Sequence, residues 1–242
     1  MFRKPLRLSA LIFVVAAPMA LMAMAAGPVT NAGWAELGVG SGSGGGISNI
    51  HDSIWYTQPS MAVDSARLPV IAWQNGVTSQ EIYVRRWNGT AWVEMGAGSG
   101  TGGGISDDGT DSNNPSLAIG PDDRPIVAWD NSWNNPPEIF VRRWDGSAWI
   151  EMGVGSASGG GISNTDTWSS SASLAIGADG APIVAWVEGV DQWGAHEIYV
   201  RRWDGSAWVE MGAGSASGGG ISNTAGTSLL PALAIGADGA PI

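Results

Sequence analysis

The sequence predicts an all-β protein, a β-propeller of four-stranded antiparallel blades in an incomplete ring. Three observations predict it. A unit of about 57 residues recurs, marked by Trp-x-Glu-x-Gly at Trp34, Trp92, Trp149 and Trp208, which stand 58, 57 and 59 residues apart. Each unit holds four short runs rich in Val, Ile, Tyr and Trp, set between clusters of Gly, Asp, Asn and Pro. After the N-terminal segment no apolar pattern follows the helical period, so helix is excluded.

The elements follow in chain order. Arg3, Lys4 and Arg7 precede an apolar stretch, Leu11 to Ala25, that ends in Ala23-Met24-Ala25. This is the pattern of a signal peptide over residues 1–25, and the apolar run is shorter than the ~20 residues that span a bilayer. The expectation is therefore export to the cell surface, the periplasm or the medium, with no membrane insertion after cleavage. The whole chain carries a formal charge of −11. Residues 1–25 hold three of its 11 basic side chains and none of its 22 acidic ones, so cleavage leaves −14. So acidic a surface excludes nucleic acid as a partner, because phosphate binding needs basic side chains. There are no cysteines. The fold must then be held by its core alone, and no lipid-bearing cysteine follows the signal.

Residues 26–58 read as a linker with an outer strand, Trp34 to Gly38, and blades are expected over 59–96, 115–153 and 171–212, with a further blade opening at 231–242. In the third unit the strands are A, Ser173 to Ile176; B, Pro182 to Trp186; C, Glu197 to Trp203; and D, Ala207 to Met211. Gly177 to Ala181 joins A to B and Asp204-Gly205 joins C to D, both short turns that tolerate positive φ, so the strands form an antiparallel meander. Strands A and B are apolar on both faces and need cover on both sides, which stacking around an axis supplies. A solenoid has shorter coils, and tandem sandwich domains need about seven strands per unit.

Hairpin parity places Tyr199, Arg201 and Trp203 on one face with Trp208 and Glu210, and Ile198, Val200 and Arg202 on the other with Val209 and Met211. Arg201 is thus expected to pair with Glu210 or to stack on Trp208. Three complete blades with partial units at either end predict a piece of a longer propeller, the alternative being a four-bladed ring with one defective blade.

A meander puts the A–B and C–D turns on one rim and the B–C and D–A connections on the other. The first set is short and nearly identical between units. The second varies, and it holds the Trp residues outside the repeating scaffold, Trp55, Trp133, Trp168 and Trp193, with both histidines, His51 and His196. Loops on a rigid scaffold are where binding concentrates, and Trp flanked by hydrogen-bonding groups offers a platform for sugar rings or peptide surfaces. The candidate ligand-binding residues are therefore Trp133, Asn134, Asp191, Trp193, His196, Trp55 and Trp168, with lids over blade ends as the alternative role of these Trp residues. The Gly/Ser tract after each D strand, such as Gly96 to Gly100, precedes no helix and reads as a turn-forming or flexible connector, not a phosphate loop. Asp107, Asp108, Asp111 and Asn113 supply oxygen ligands without calcium-loop spacing and read as a solvated acidic loop. No cofactor, metal site or catalytic set is assigned.

The units resemble repeats of exported bacterial β-propeller proteins, in which a Trp-x-x-Leu-Gly-like outer strand, a Pro-containing inner hairpin and an Arg-Trp-Asp-Gly-x-x-Trp hairpin recur. The resemblance covers nearly all of the mature chain. It implies a scaffold shared with propeller lectins, which bind sugars between blades, and with sialidases. The sialidase box Ser-x-Asp-x-Gly-x-x-Trp is not matched by Ala178-Asp179-Gly180-Ala181-Pro182, and the non-repeated arginines after the signal are Arg67 and Arg124 alone. A glycosidase also needs two carboxyl groups at a set separation. The leading expectation is a non-catalytic module that binds glycan or protein through the B–C/D–A rim. The alternatives are a sialidase-like glycoside hydrolase or a lyase on that rim, and a structural repeat scaffold.

Overall fold

The computed structural model describes residues 35–49, 58–76, 79–107, 109–131, 136–189 and 194–242. The chain divides into Met1–Ala35 and Glu36–Ile242, and all strands belong to the second unit. The expected signal peptide lies outside the described residues. No helix among the described residues is long and apolar enough to cross a membrane.

Among the described residues twelve strands form three four-stranded sheets, each an antiparallel meander. Blade 1 is β1 (Ser60–Val63), β2 (Pro69–Asn75), β3 (Glu81–Trp87) and β4 (Trp92–Glu94). Blade 2 is β5 (Ser112–Ile119), β6 (Pro125–Asn131), β7 (Glu138–Trp144) and β8 (Trp149–Glu151). Blade 3 is β9 (Trp168–Ile176), β10 (Pro182–Gly189), β11 (His196–Trp203) and β12 (Trp208–Glu210). Residues 231–242 begin a further unit, joined by a bridge between Ile235 and Pro241. Ser60, Ser116, Ala172 and Pro231, from successive units, line a small cavity of about 250 Å³. The result is an open arc of propeller blades, with no sheet that closes the circle among the described residues.

Apolar alternation drives the stacking. Ile126, Ala128, Ile139 and Val141 of blade 2 pack against Leu174, Val184 and Trp186 of blade 3, and Val70, Ala72, Ile82 and Val84 of blade 1 pack in the same way against Leu117, Val127, Trp129 and Phe140 of blade 2. Three polar ties repeat at each junction. At the axis, the backbone N–H groups of Leu117, Leu174 and Leu233 donate to Ser60, Ser116 and Ser173 Oγ of the preceding unit, each at 2.9 Å. At the periphery, the indoles of Trp92, Trp149 and Trp208 donate to the carbonyls of Leu37, Met95 and Met152 at 2.8, 2.9 and 2.9 Å. Between these, Arg85, Arg142 and Arg201 each donate through Nη1 to Ile47, Ile105 and Ile162 O at 2.5 Å.

This third tie corrects one expectation. The register sets Arg201 opposite Glu210 as hairpin parity requires, but the guanidinium reaches across to the preceding unit. The Glu210 carboxylate accepts instead from the backbone N–H groups of Gly214 and Ala216, at 3.2 and 3.0 Å, while the nearby Arg201 charge still helps to lower its carboxyl. Arg202 pairs with Asp179 in the A–B turn. The Gly/Ser tracts are likewise ordered cover. Strand D is only three residues long, and beyond it Val141 and Val200 donate to Ser156 and Ser215 O at 2.7 Å, while Ile162 and Ile221 return bonds to Ile139 and Ile198 O. The tract thus satisfies the part of the C-strand edge that D leaves open.

At the N-terminal end Trp34, which opens the expected outer strand, is outside the described residues, and residues 37–49 are bends and turns like the tract that follows β4. Leu37 and Ile47 nevertheless offer blade 1 the carbonyls that Met95 and Ile105 offer blade 2.

Candidate functional site

The two rims differ in how their polar groups are used. On the A–B/C–D rim the repeated side chains are consumed by the turns: Asp145 Oδ1 accepts from Ser147 N, Ser147 Oγ and Ala148 N at 2.7, 2.9 and 2.8 Å, which holds its carboxyl below the usual range. Asp204 does the same for Ser206 and Ala207. Asp64, Asp122 and Asp179 are each paired with the second arginine of their blade. Arg124 adds to this rim, 3.5 Å from Asp122.

On the opposite rim the repeat breaks down side chain by side chain. Ser112, Ser169 and Ser228 donate equivalent backbone bonds to Gln80, Pro137 and His196 O at 2.7, 3.0 and 2.8 Å, which aligns the units. Two residues later Asn114, Ser171 and Leu230 all adopt positive φ, at 52°, 58° and 54°. In blades 2 and 3 this turn is where the strand register shifts, a β-bulge. The bulge releases a backbone N–H, and the preceding blade accepts it: Asn114 N donates to Gln74 Oε1 at 2.7 Å and Ser171 N to Asp130 Oδ1 at 3.1 Å. At the corresponding position of blade 3 stands Val187, which has no acceptor.

The units therefore diverge at these places, with Asp111, Trp168 and Thr227 aligned, then Asn113, Ser170 and Leu229, then Asn114, Ser171 and Leu230. The apolar choices fall together. Trp168, Val187, Leu229 and Leu230 line one cleft of about 540 Å³, with Asp130 and His196 among its other walls. Leu229 and Leu230 are 58% and 78% exposed, and Leu230 holds a left-handed backbone that a leucine adopts at a cost. Asp130 is 3% exposed, and burial raises its carboxyl to about 6 although Asn114 Nδ2, at 2.9 Å, and the Ser171 N–H oppose the shift. His196 Nδ1 is buried without a hydrogen-bond partner.

Of the residues singled out in the sequence, Trp168 and His196 are brought together here. Both are strand termini rather than loop residues, each paired with Gly189 across the sheet, because the bulge at Ser171 hides the first half of β9 from a reading by alternation. Trp55, Trp133, Asn134, Asp191 and Trp193 lie outside the described residues, as do His51 and Asp108. Asp111 accepts from Gln80 N at 2.8 Å. Asp130, Val187, Leu229 and Leu230 escaped sequence reasoning. A position-by-position alignment of the units would have found them, since each breaks the pattern of its neighbours.

Fold and site together define a repeat-built propeller module with one differentiated rim cleft. No protein-family model and no curated protein matches the chain. Among solved structures it is similar to an endo-arabinase from Bacteroides thetaiotaomicron, at 14% identity and a TM-score of 0.42, covering 63% of this chain and 59% of that one. It is also similar to a fucose lectin from Kordia zhangzhouensis, at 13% and 0.41, covering 64% and 98%, and to a thermostable family-43 glycoside hydrolase, at 10% and 0.45, covering 75% and 62%. The chain thus spans less than two thirds of the arabinase and the family-43 enzyme.

Proposed function

We propose that the chain is an exported, non-catalytic module that binds a glycan through the B–C/D–A rim. One observation carries the reading: the side chains that depart from the repeat, Trp168, Val187, Leu229 and Leu230, converge on one cleft beside Asp130 and His196. A flat indole edged by hydroxyl groups and a carboxylate suits a pyranose, which has apolar faces and a polar perimeter. Trp55, Trp133 and Trp193 join this reading by sequence alone. Trp168→Ala should weaken binding in a glycan screen and in titration calorimetry by about tenfold or more, since base-stacking-sized aromatic contacts contribute about 1–3 kcal/mol. Unchanged affinity for every glycan bound by the parent chain would defeat the proposal.

A second reading, glycoside hydrolysis, is favoured by the raised titration of Asp130, which suits a general acid. Against it, Asp130 is the single carboxylate among the described residues that line the cleft, where hydrolysis needs two. Turnover of chromogenic glycosides that vanishes in Asp130→Asn would establish the enzyme instead.

A further inference from the structure

The scaffold does not require a charge at position 130. Gln74 and Asp130 occupy equivalent places and do the same work, accepting the bulge N–H of the next blade at 2.7 and 3.1 Å. An amide side chain meets that need in blade 1 without burying a charge. In blade 2 a carboxylate is withdrawn from water, which is costly unless something compensates. Asn114 Nδ2 and Ser171 N both donate to Oδ1, the backbone N–H of Asp130 itself adds a further bond, and none of these donors is cationic.

The surroundings define what could compensate. The described residues lining the cleft include no Lys or Arg, and Trp168, Pro137, Val187, Leu229 and Leu230 make its apolar walls. A carboxylate at an apolar wall beside an indole attracts a cation through both its charge and the ring face. Ser170, Ser171 and Thr227 add polar groups at the same walls for ring hydroxyls. The titratable groups at the near ends of the packed strands are Glu138 at the start of β7, Glu188 on β10 and His196 and Glu197 at the start of β11, while Arg142, Arg143, Arg201 and Arg202 stand toward the opposite ends of β7 and β11. None of these glutamates brings a positive charge to the cleft.

Building on the glycan reading above, we infer that this cleft selects a protonated amine carried on a sugar, the group exposed on glycans of de-N-acetylated amino sugars. An acetylated amine is neutral and bulkier, and would leave Asp130 buried without a counter-charge.

The test is calorimetric titration of the full chain, near neutral pH and low salt, with a tetramer of β-1,4-linked glucosamine and with its fully N-acetylated counterpart. The amine tetramer should bind about tenfold tighter or better, with an affinity that falls as salt rises. Asp130→Gln installs the residue that serves at position 74, so the fold should persist while the preference collapses. Equal or tighter binding of the acetylated tetramer overturns the inference and leaves the glycan reading standing. Binding of neither tetramer, nor of any neutral glycan, removes both. Tetralysine bound as tightly as the glucosamine tetramer would show that the amine and not the sugar is read, and also overturns it. The preference of the unaltered chain decides the matter should the variant misfold.

Discussion

Glu138 illustrates how the repeat buries charge at a single residue. It opens β7, is 5% exposed, and its carboxylate accepts from Ser163 Oγ and from Thr165 N, the latter at 3.0 Å. Ser163 is fully buried and accepts Ile139 N at 2.8 Å, so one hydroxyl links the strand edge to the acid. Burial, helped by the charge of Glu188, pushes the Glu138 carboxyl from its ordinary 4.5 up to about 7, against those hydrogen bonds. Between the two values the folded chain holds a proton that the unfolded chain has released. Stability from this group is then complete below the unfolded value and declines as pH rises through the folded one. The urea midpoint of the parent chain should fall from mildly acidic to mildly alkaline pH, and Glu138→Gln should flatten that fall. An unaltered slope in the variant would assign the pH dependence elsewhere, with Asp130 as the next group to examine.

At the scale of an element, the Glu of Trp-x-Glu-x-Gly organises the tract that follows it. Glu151 accepts from Gly155 N and Ala157 N, each at 3.2 Å, and these donors, with Ser158, hold its carboxyl below the ordinary value. Glycine is needed where the tract turns: Gly153 has a φ of 89°, and a Cβ there would stand 2.9 Å from the Trp203 ring of the next blade. Because the tract also completes the C-strand edge, loss of the carboxylate should loosen the edge locally. Glu151→Ala is expected to speed amide hydrogen exchange at Gly155, Ala157 and Val141 while the central amides of β6 stay protected. Exchange rates matching those of the parent at all three would mean that backbone bonds alone hold the tract.

In the whole molecule, blades are joined by an apolar core ringed with polar ties, so a blade's stability depends on its neighbours. Trp186 is the fullest expression of this: it is entirely buried in the cluster between blades 2 and 3, and its indole donates to Glu188 at 2.7 Å. Trp186→Ala should cost about 3–5 kcal/mol, read as a lowered denaturation midpoint. It also removes a donor from Glu188, which accepts from Thr165 and Thr167 on the segment that leads into β9 and from Ser169 within β9. A loss below about 1 kcal/mol would contradict tight packing at this junction.

Much of this architecture was legible in the chain. The recurrence of Trp-x-Glu-x-Gly, the strand runs and the Asp-Gly turns specify the blades, because side-chain alternation and turn chemistry act over a few residues. Blade 3 carries its C and D strands within a residue of where alternation puts them, while β10 runs three residues past the expected end at Trp186 and β9 begins five residues earlier than its apolar run, beyond a bulge that breaks the period. The variable rim could also be picked out, from loop variability and stray tryptophans, as the place where the proposed binding falls.

The cleft could not. Asp130 reads as one polar residue at the end of a strand, Val187 as ordinary core, and Leu229-Leu230 as part of a connection. They meet because three successive units bring strand ends separated by about 100 residues to one rim position. The blade follows from interactions local to each unit, and these are written in the residues. Which departures from the repeat face one another follows from the angle and spacing at which whole sheets stack, and no local pattern carries that.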